Sequence, residues 1–152
     1  MQKLNNYING ILCSPISMKY IDNIDPSKGK VYSLIPDSDE RDVALAVDAA
    51  KKAFISWSHA SSEFRMKILM KIASLIEERM EAFAKAESRD NGKPVSLAIS
   101  VDIPRAISNF EFFATAAMHF SSESHLIAGE ALNYTTRKPI GIVGCILSLI
   151  HI

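Results

Sequence analysis

Hydrophobic and polar positions change their rhythm twice along this chain. Up to residue 36 the apolar residues come in short runs broken by turn formers. Tyr7-Ile8 and Ile11-Leu12 flank Asn9-Gly10, a pair suited to the tight turn of a hairpin. Tyr20 to Pro26 reads as a second strand, and Ser27-Lys28-Gly29-Lys30 turns the chain into a third, Val31 to Ile35, closed by Pro36. The pattern predicts a small antiparallel edge sheet. From Asp39 the period lengthens: Val43, Ala46, Val47, Ala50, Phe54 and Trp57 recur at the spacing of one helix face. Asp39 is its N-cap, Glu40 and Asp42 lie near its positive end, and Lys51 and Lys52 lie toward its negative end. A second helix starts after Ser61-Ser62, with Leu69, Ile72, Leu75 and Ile76 inward and Arg65, Lys67, Lys71, Glu77, Glu78 and Arg79 outward. A third, Met80 to Asp90, stops at Asn91-Gly92-Lys93-Pro94, where glycine can take a left-handed cap and proline forbids continuation. The last helical region runs from Val95 to about Phe120, bends or restarts at Pro104, and carries Ile107, Phe110, Ala114, Ala117 and Met118 on one face. Ser121 to Gly129 reads as a polar loop.

The second change comes near the end. Leu132, Tyr134 and Thr136 alternate with Asn133, Thr135 and Arg137, the period of a half-exposed strand. Beyond Pro139, the run Ile140 to Ile146 is almost continuously apolar, with glycines at 141 and 144. That suits a strand buried on both faces of a parallel sheet, where helices or a ligand approach the backbone closely.

Composition narrows the classes. The 152 residues are 48% hydrophobic and 22% charged, as in an ordinary globular protein. Seventeen basic residues balance seventeen acidic ones, so nothing points to nucleic acid or an anionic membrane as partner. Cys13 and Cys145 make neither a disulfide framework nor a metal cluster, which fits a reducing, cytoplasmic setting. Residues 1 to 10 have no apolar stretch of the signal-peptide kind. The longest apolar run, Ile140 to Ile152, contains Ser148 and His151 and is too short to span a bilayer.

Several motifs carry a resemblance, in order and spacing, from about Tyr7 to Ile146. They are Asp25-Pro26-Ser27-Lys28-Gly29; the Ala-Val-x-Ala-Ala-x-x-Ala-Phe pattern from Ala46 to Phe54 with Trp57; and the helix from Arg65 to Arg79. They continue with Glu87-Ser88-Arg89-Asp90-Asn91-Gly92-Lys93-Pro94, and with Arg137-Lys138-Pro139-Ile140-Gly141-Ile142-Val143-Gly144-Cys145-Ile146. Together they resemble the front part of the aldehyde dehydrogenase superfamily. Asp102-Ile103-Pro104-Arg105, Asn109 to Ala114 and Asn133-Tyr134-Thr135 look most like its branch oxidising 2-aminomuconate semialdehyde. The resemblance implies an α/β fold: a small N-terminal β-hairpin sheet, a block of four to five helices, a bridging strand, and the first buried strand of an incomplete Rossmann-like sheet. It implies that residues 1–146 are the N-terminal portion of an NAD(P)-binding domain, with an oligomerisation strand near 131–138, and that 147–152 are a divergent tail.

In that family a cysteine thiolate attacks an aldehyde, hydride passes to NAD or NADP, and a glutamate-activated water releases the acid. The family's strand continues into Pro-Trp-Asn, where this chain reads Leu147-Ser148-Leu149-Ile150-His151-Ile152. The family's nucleophile, base, oxyanion donor and dinucleotide site have no counterpart here. The resemblance therefore implies a truncated chain, inactive and without bound cofactor by itself. The alternative is a non-catalytic product that pairs with full-length subunits through its surviving strands. An aldehyde substrate and homo-oligomeric partners belong to the intact family.

The remaining candidates read blandly. Cys145 sits in an apolar strand with no neighbouring cation and reads as a small core hydrophobe, and Cys13 is no better a nucleophile. Gly141-x-x-Gly144 is not a dinucleotide fingerprint and opens no helix. His59, His119, His125 and His151 lack metal spacing. Lys93 reads as a solvated cap residue and Arg137 as an exposed strand charge. The family implies a structural monovalent cation between a carboxylate at Asp102 and backbone oxygen near Ile24; a cap beside Pro104 is the simpler role for Asp102.

Overall fold

A computed structural model describes residues 1–147; residues 148–152 of the divergent tail, His151 among them, lie outside the described residues. The strands of the first third are Gln2–Lys3 (β1), Asn6–Ile8 (β2), Ile11–Cys13 (β3), Tyr20–Asp25 (β4) and Lys30–Pro36 (β5). They form two sheets, β1-β5-β4 and the β2-β3 hairpin, where the sequence predicts one. β4 and β5 are antiparallel, with Asn23 opposite Ser33 and a bulge between Asn23 and Ile24. β1 adds a parallel pair, Gln2 opposite Ser33, which two residues are too short to announce by alternation. The hairpin turns where expected, with Asn9 at φ 53° and Gly10 at φ 81°.

Glu40–Trp57 (α1) opens on a capping box: the Asp39 carboxylate accepts from Arg41 N–H at 2.9 Å, and Asp42 Oδ2 accepts from Asp39 N–H at 3.1 Å. Asp42 is buried, and its Oδ1 also accepts from Ile16 N–H at 3.0 Å, tying the segment after the hairpin to the helix. The apolar face of α1 forms but is not covered. Val43 is 59% exposed and Trp57 44%, because among the described residues little besides β2 lies against this helix.

Ser62–Glu78 (α2) is capped by Ser61 Oγ, which accepts from Phe64 N–H at 3.1 Å. Met80–Asn91 (α3) ends in Gly92 at φ 82°, whose N–H donates to Ser88 O at 2.9 Å. The chain resumes as Val95–Leu97 (α4), widens into a π turn at Ala98–Asp102 and continues as Ile103–His119 (α5). Within the π turn Ile103 N–H reaches Ala98 O, five residues back. Pro104 accounts for it: proline has no N–H to give and its ring crowds the carbonyl four residues earlier, which a wider turn relieves.

Ala73 of α2, Ala84 of α3, Ala98, Ile103 and Ile107 form the buried core, flanked by Ile76, Met80, Val95 and Phe110. Alanines at these crossings let the helix axes approach closely. The inward face of α5 ends at Ala114; Ala117 and Met118, expected on it, are exposed.

Residues expected to be a polar loop contain a strand. Ser124–Ile127 (β6) pairs with Ala131–Tyr134 (β7), Leu126 opposite Leu132 and Ser124 opposite Tyr134. Ser-His-Leu-Ile has no alternation to reveal it. β7 stops at Tyr134, short of Arg137, whose guanidinium instead lies 4.6 Å from the Phe120 ring centre. The apolar run read as a buried strand carries no strand pairing: Ile140 is 93% and Ile146 80% exposed. Cys145 is exposed too, so it is no core residue. A buried parallel strand needs neighbours on its edges and helices on its faces, and among the described residues none lies beside it.

Candidate functional site

Two motifs sixty residues apart in the sequence meet at the end of α3. In the turn after β4, the buried Asp25 carboxylate accepts from Ser27 N–H at 2.9 Å and from the Ser27 hydroxyl at 2.6 Å. The Ser27 hydroxyl bond holds the Asp25 carboxyl below its ordinary range. This fixed turn presses Pro26 against the α3 cap: a Cβ at Gly92 would lie 3.0 Å from Pro26 Cγ. Gly92 is thus required twice, by its left-handed backbone and by the proline ring beside it.

The residues around the cap lock one another. Asn91 Nδ2 donates to Glu87 Oε1 at 2.7 Å, Lys93 N–H donates to Asn91 Oδ1 at 3.0 Å, and the Ser88 hydroxyl donates to Lys93 O at 2.6 Å. Lys93 is not the solvated cap residue its position suggests. Its side chain is 24% exposed, and Nζ lies 2.7 Å from Asp102 Oδ2 and 3.2 Å from Glu87 Oε1. The Asp102 bond leads in raising the Lys93 pKa, so this ammonium stays charged and staples the end of α3 to the π turn.

A second polar cluster binds the edge sheet to α3. Tyr32 O–H donates to Asp90 Oδ1 at 2.9 Å; Asn23 Nδ2 donates to Tyr32 Oη at 2.9 Å and to Ser33 Oγ at 3.2 Å. The Arg89 guanidinium stacks 4.3 Å from the Tyr32 ring centre. Burial, followed by the bond to Asp90, pushes the Tyr32 phenol upward. The sequence gives no sign of Tyr32 and Asn23 as site members, since only the β4-β5 register brings them together; Arg89 and Asp90 lie inside the Glu87–Pro94 motif, which assigns them no role. The carboxylates of this region, Asp25, Glu87, Asp90 and Asp102, all hold a donor. Such an arrangement positions elements; it leaves no poised base.

The remaining candidates take other roles. Ile24 sits at the β4 bulge and is 52% exposed, while Asp102 holds Lys93. Cys13 is half-buried and lines a groove with Ile8, Ile11, Leu45 and Lys52. His59 Nδ1 lies 2.9 Å from Ile55 O, His119 closes α5, and His125 is in β6. Among the described residues no three metal-binding side chains cluster, and no helix is long and apolar enough to cross a membrane.

Residues 14–148 match the aldehyde dehydrogenase family. The chain is 47% identical over 146 residues to a 2-aminomuconic semialdehyde dehydrogenase from Danio rerio, and 43% identical over 149 residues to one from Homo sapiens. Each match covers 94% of this chain and 29% of the relative. Among solved structures, an aldehyde dehydrogenase from Bacillus cereus in complex with NAD+ superposes with a TM-score of 0.86 at 31% identity, over 91% of this chain and 29% of that one. The chain therefore spans less than a third of these relatives, and with residues 14–148 matched and its fold superposed over that span, it belongs to the aldehyde dehydrogenase family.

Proposed function

We infer that the activity associated with this chain is oxidation of an aldehyde, of the semialdehyde class, to a carboxylic acid with NAD or NADP. Residues 1–146 act as the N-terminal portion of the cofactor domain, with a bridging element near 131–138. The 47% identity to a 2-aminomuconic semialdehyde dehydrogenase, running over 94% of the chain, carries this reading. The residues present do not themselves fit a dinucleotide. A phosphate cradle needs a glycine turn opening a helix, and a Cβ built at Gly141 or Gly144 meets nothing within 4 Å. Among the described residues neither thiol is hydrogen-bonded to a base: Cys13 Sγ donates to the Asn6 carbonyl at 3.7 Å, and Cys145 is exposed in an irregular segment. A structural cation shared by Asp102 and Ile24 would have to displace the Lys93 ammonium, so Asp102 acts first as the partner of Lys93.

The 152-residue chain alone should give no calorimetric signal with NAD and no aldehyde-dependent NADH. Micromolar NAD binding, or turnover by the pure chain, would defeat this assignment.

The β6-β7 hairpin favours a second reading, pairing with full-length subunits. Leu126, Leu132 and Tyr134 share one face and are 60–78% exposed. An unpaired edge with an apolar face offers a partner both main-chain bonds and pockets. If pairing is its role, full-length enzyme should co-purify with the chain and be lost with Tyr134→Pro, which removes a ladder donor without touching the helices. No capture by the unmodified chain excludes this reading.

A further inference from the structure

The chain contains two Asn-Gly pairs, and the structure places them in opposite circumstances. Asn91-Gly92 is immobilised on every reacting atom. The Asn91 carboxamide is held by Glu87 and by Lys93 N–H, and Gly92 N–H is spent on Ser88 O. Asn9-Gly10 is held by almost nothing. Both residues are exposed, and among the described residues no hydrogen bond engages the Asn9 carboxamide or Gly10 N–H. The hairpin they turn has only three residue pairs and no third strand, so although β2 rests on α1 its turn can open.

We propose that Asn9 is a self-modification site of this chain, converting to aspartate and isoaspartate, while Asn91 is protected by its cap. The Gly10 backbone nitrogen attacks Asn9 Cγ and loses its proton as the side-chain amide leaves as ammonia, closing a five-membered succinimide. Water then cleaves either ring carbonyl–nitrogen bond, giving aspartate or, through the longer path, isoaspartate. No oxidant or enzyme is required. Gly10 makes the attack possible because it has no side chain to screen its nitrogen, and fraying of the hairpin supplies the backbone freedom the ring needs.

The product changes a defined surface. Asn9 lines a groove of about 330 Å³ between the hairpin and α1 together with Ile8, Ile11, Leu45, Asp48 and Lys52. Conversion places a carboxylate at the rim that Lys52 shares. Isoaspartate also inserts a methylene into the backbone, which the left-handed turn at φ 53° does not accommodate, so the hairpin should open.

The test is peptide mapping by mass spectrometry, with isoaspartyl methyltransferase labelling, of the soluble full chain aged in mildly alkaline buffer. Residue 9 should convert at least about tenfold faster than residue 91, whose reaction must first break the cap bonds. Asn9→Gly, which keeps a turn that accepts positive φ, should abolish the label while leaving the far-ultraviolet circular dichroism unchanged. A synthetic peptide spanning residues 6–13 calibrates the chemistry. Conversion at 91 as fast as at 9, or an inert residue 9 under conditions that convert the peptide, overturns the proposal.

Discussion

Gly92→Val should destabilise the helical block by about 2–5 kcal/mol, the largest effect expected of any single substitution here. Two costs add. A β-branched residue at φ 82° pays about 1–2 kcal/mol for the left-handed backbone. Its Cβ, 3.0 Å from Pro26 Cγ, must push aside a ring whose turn is pinned by the buried Asp25, an overpacking of about 1–3 kcal/mol. Gly29→Ala separates the two. Gly29 is also left-handed, at φ 62°, but nothing lies within 4 Å of its missing Cβ, so that variant should lose only about 1 kcal/mol. Urea melts read both, and Pro26→Ala should recover part of the Gly92→Val loss. Equal losses at 92 and 29, or no coupling to residue 26, would show that the close approach has no energetic weight.

Removing Ile140 to Ile152 should convert a chain that binds hydrophobic dye and aggregates into one that stays soluble. Ile140, Val143, Ile146 and Leu147 are 67–93% exposed, and each would gain roughly 1.5–3 kcal/mol on burial. Together they supply of the order of 6–12 kcal/mol of gross drive toward association, as great as the stability of a whole small domain. The helical core formed by Ala73, Ala84, Ala98, Ile103 and Ile107 lies elsewhere, so the shortened chain should keep its helical circular dichroism. A full-length chain that is monodisperse and melts cooperatively as a monomer, without dye binding, would contradict this.

The helices were legible because their signals are local. Ser61, Asp39 and Gly92 mark ends through bonds to residues within four positions, and Pro104 announces the restart that the π turn performs. The covered faces were less legible. The stripe Val43–Trp57 is a true helix face, yet whether it is buried depends on what lies against it, which no periodicity contains. The same reason misled the reading of Ile140 to Ile146, where apolar composition describes a strand with neighbours and the chain shows an exposed segment without them. β1 and β6 escaped because two to four residues cannot establish a period. In the candidate site, Asp102 was singled out, but its partner Lys93 was assigned to solvent. Nine positions separate them, and only the widened turn brings the carboxylate round to the ammonium.

That widened turn also makes residue count a hidden specification of the chain. An α-helix advances about 100° per residue, so one residue more or less between Leu97 and Ile103 rotates everything downstream by that angle. Upstream of the turn the chain packs on α3 through Val95 and Ala98; downstream it packs on α2 through Ile107 and Ala114. Losing a single residue there would swing Ile107 and Ala114 out of the core and present polar Ser108 or Thr115 in their place. The identities of Ile99, Ser100 and Val101, all exposed, are nearly free to drift. Their number is not.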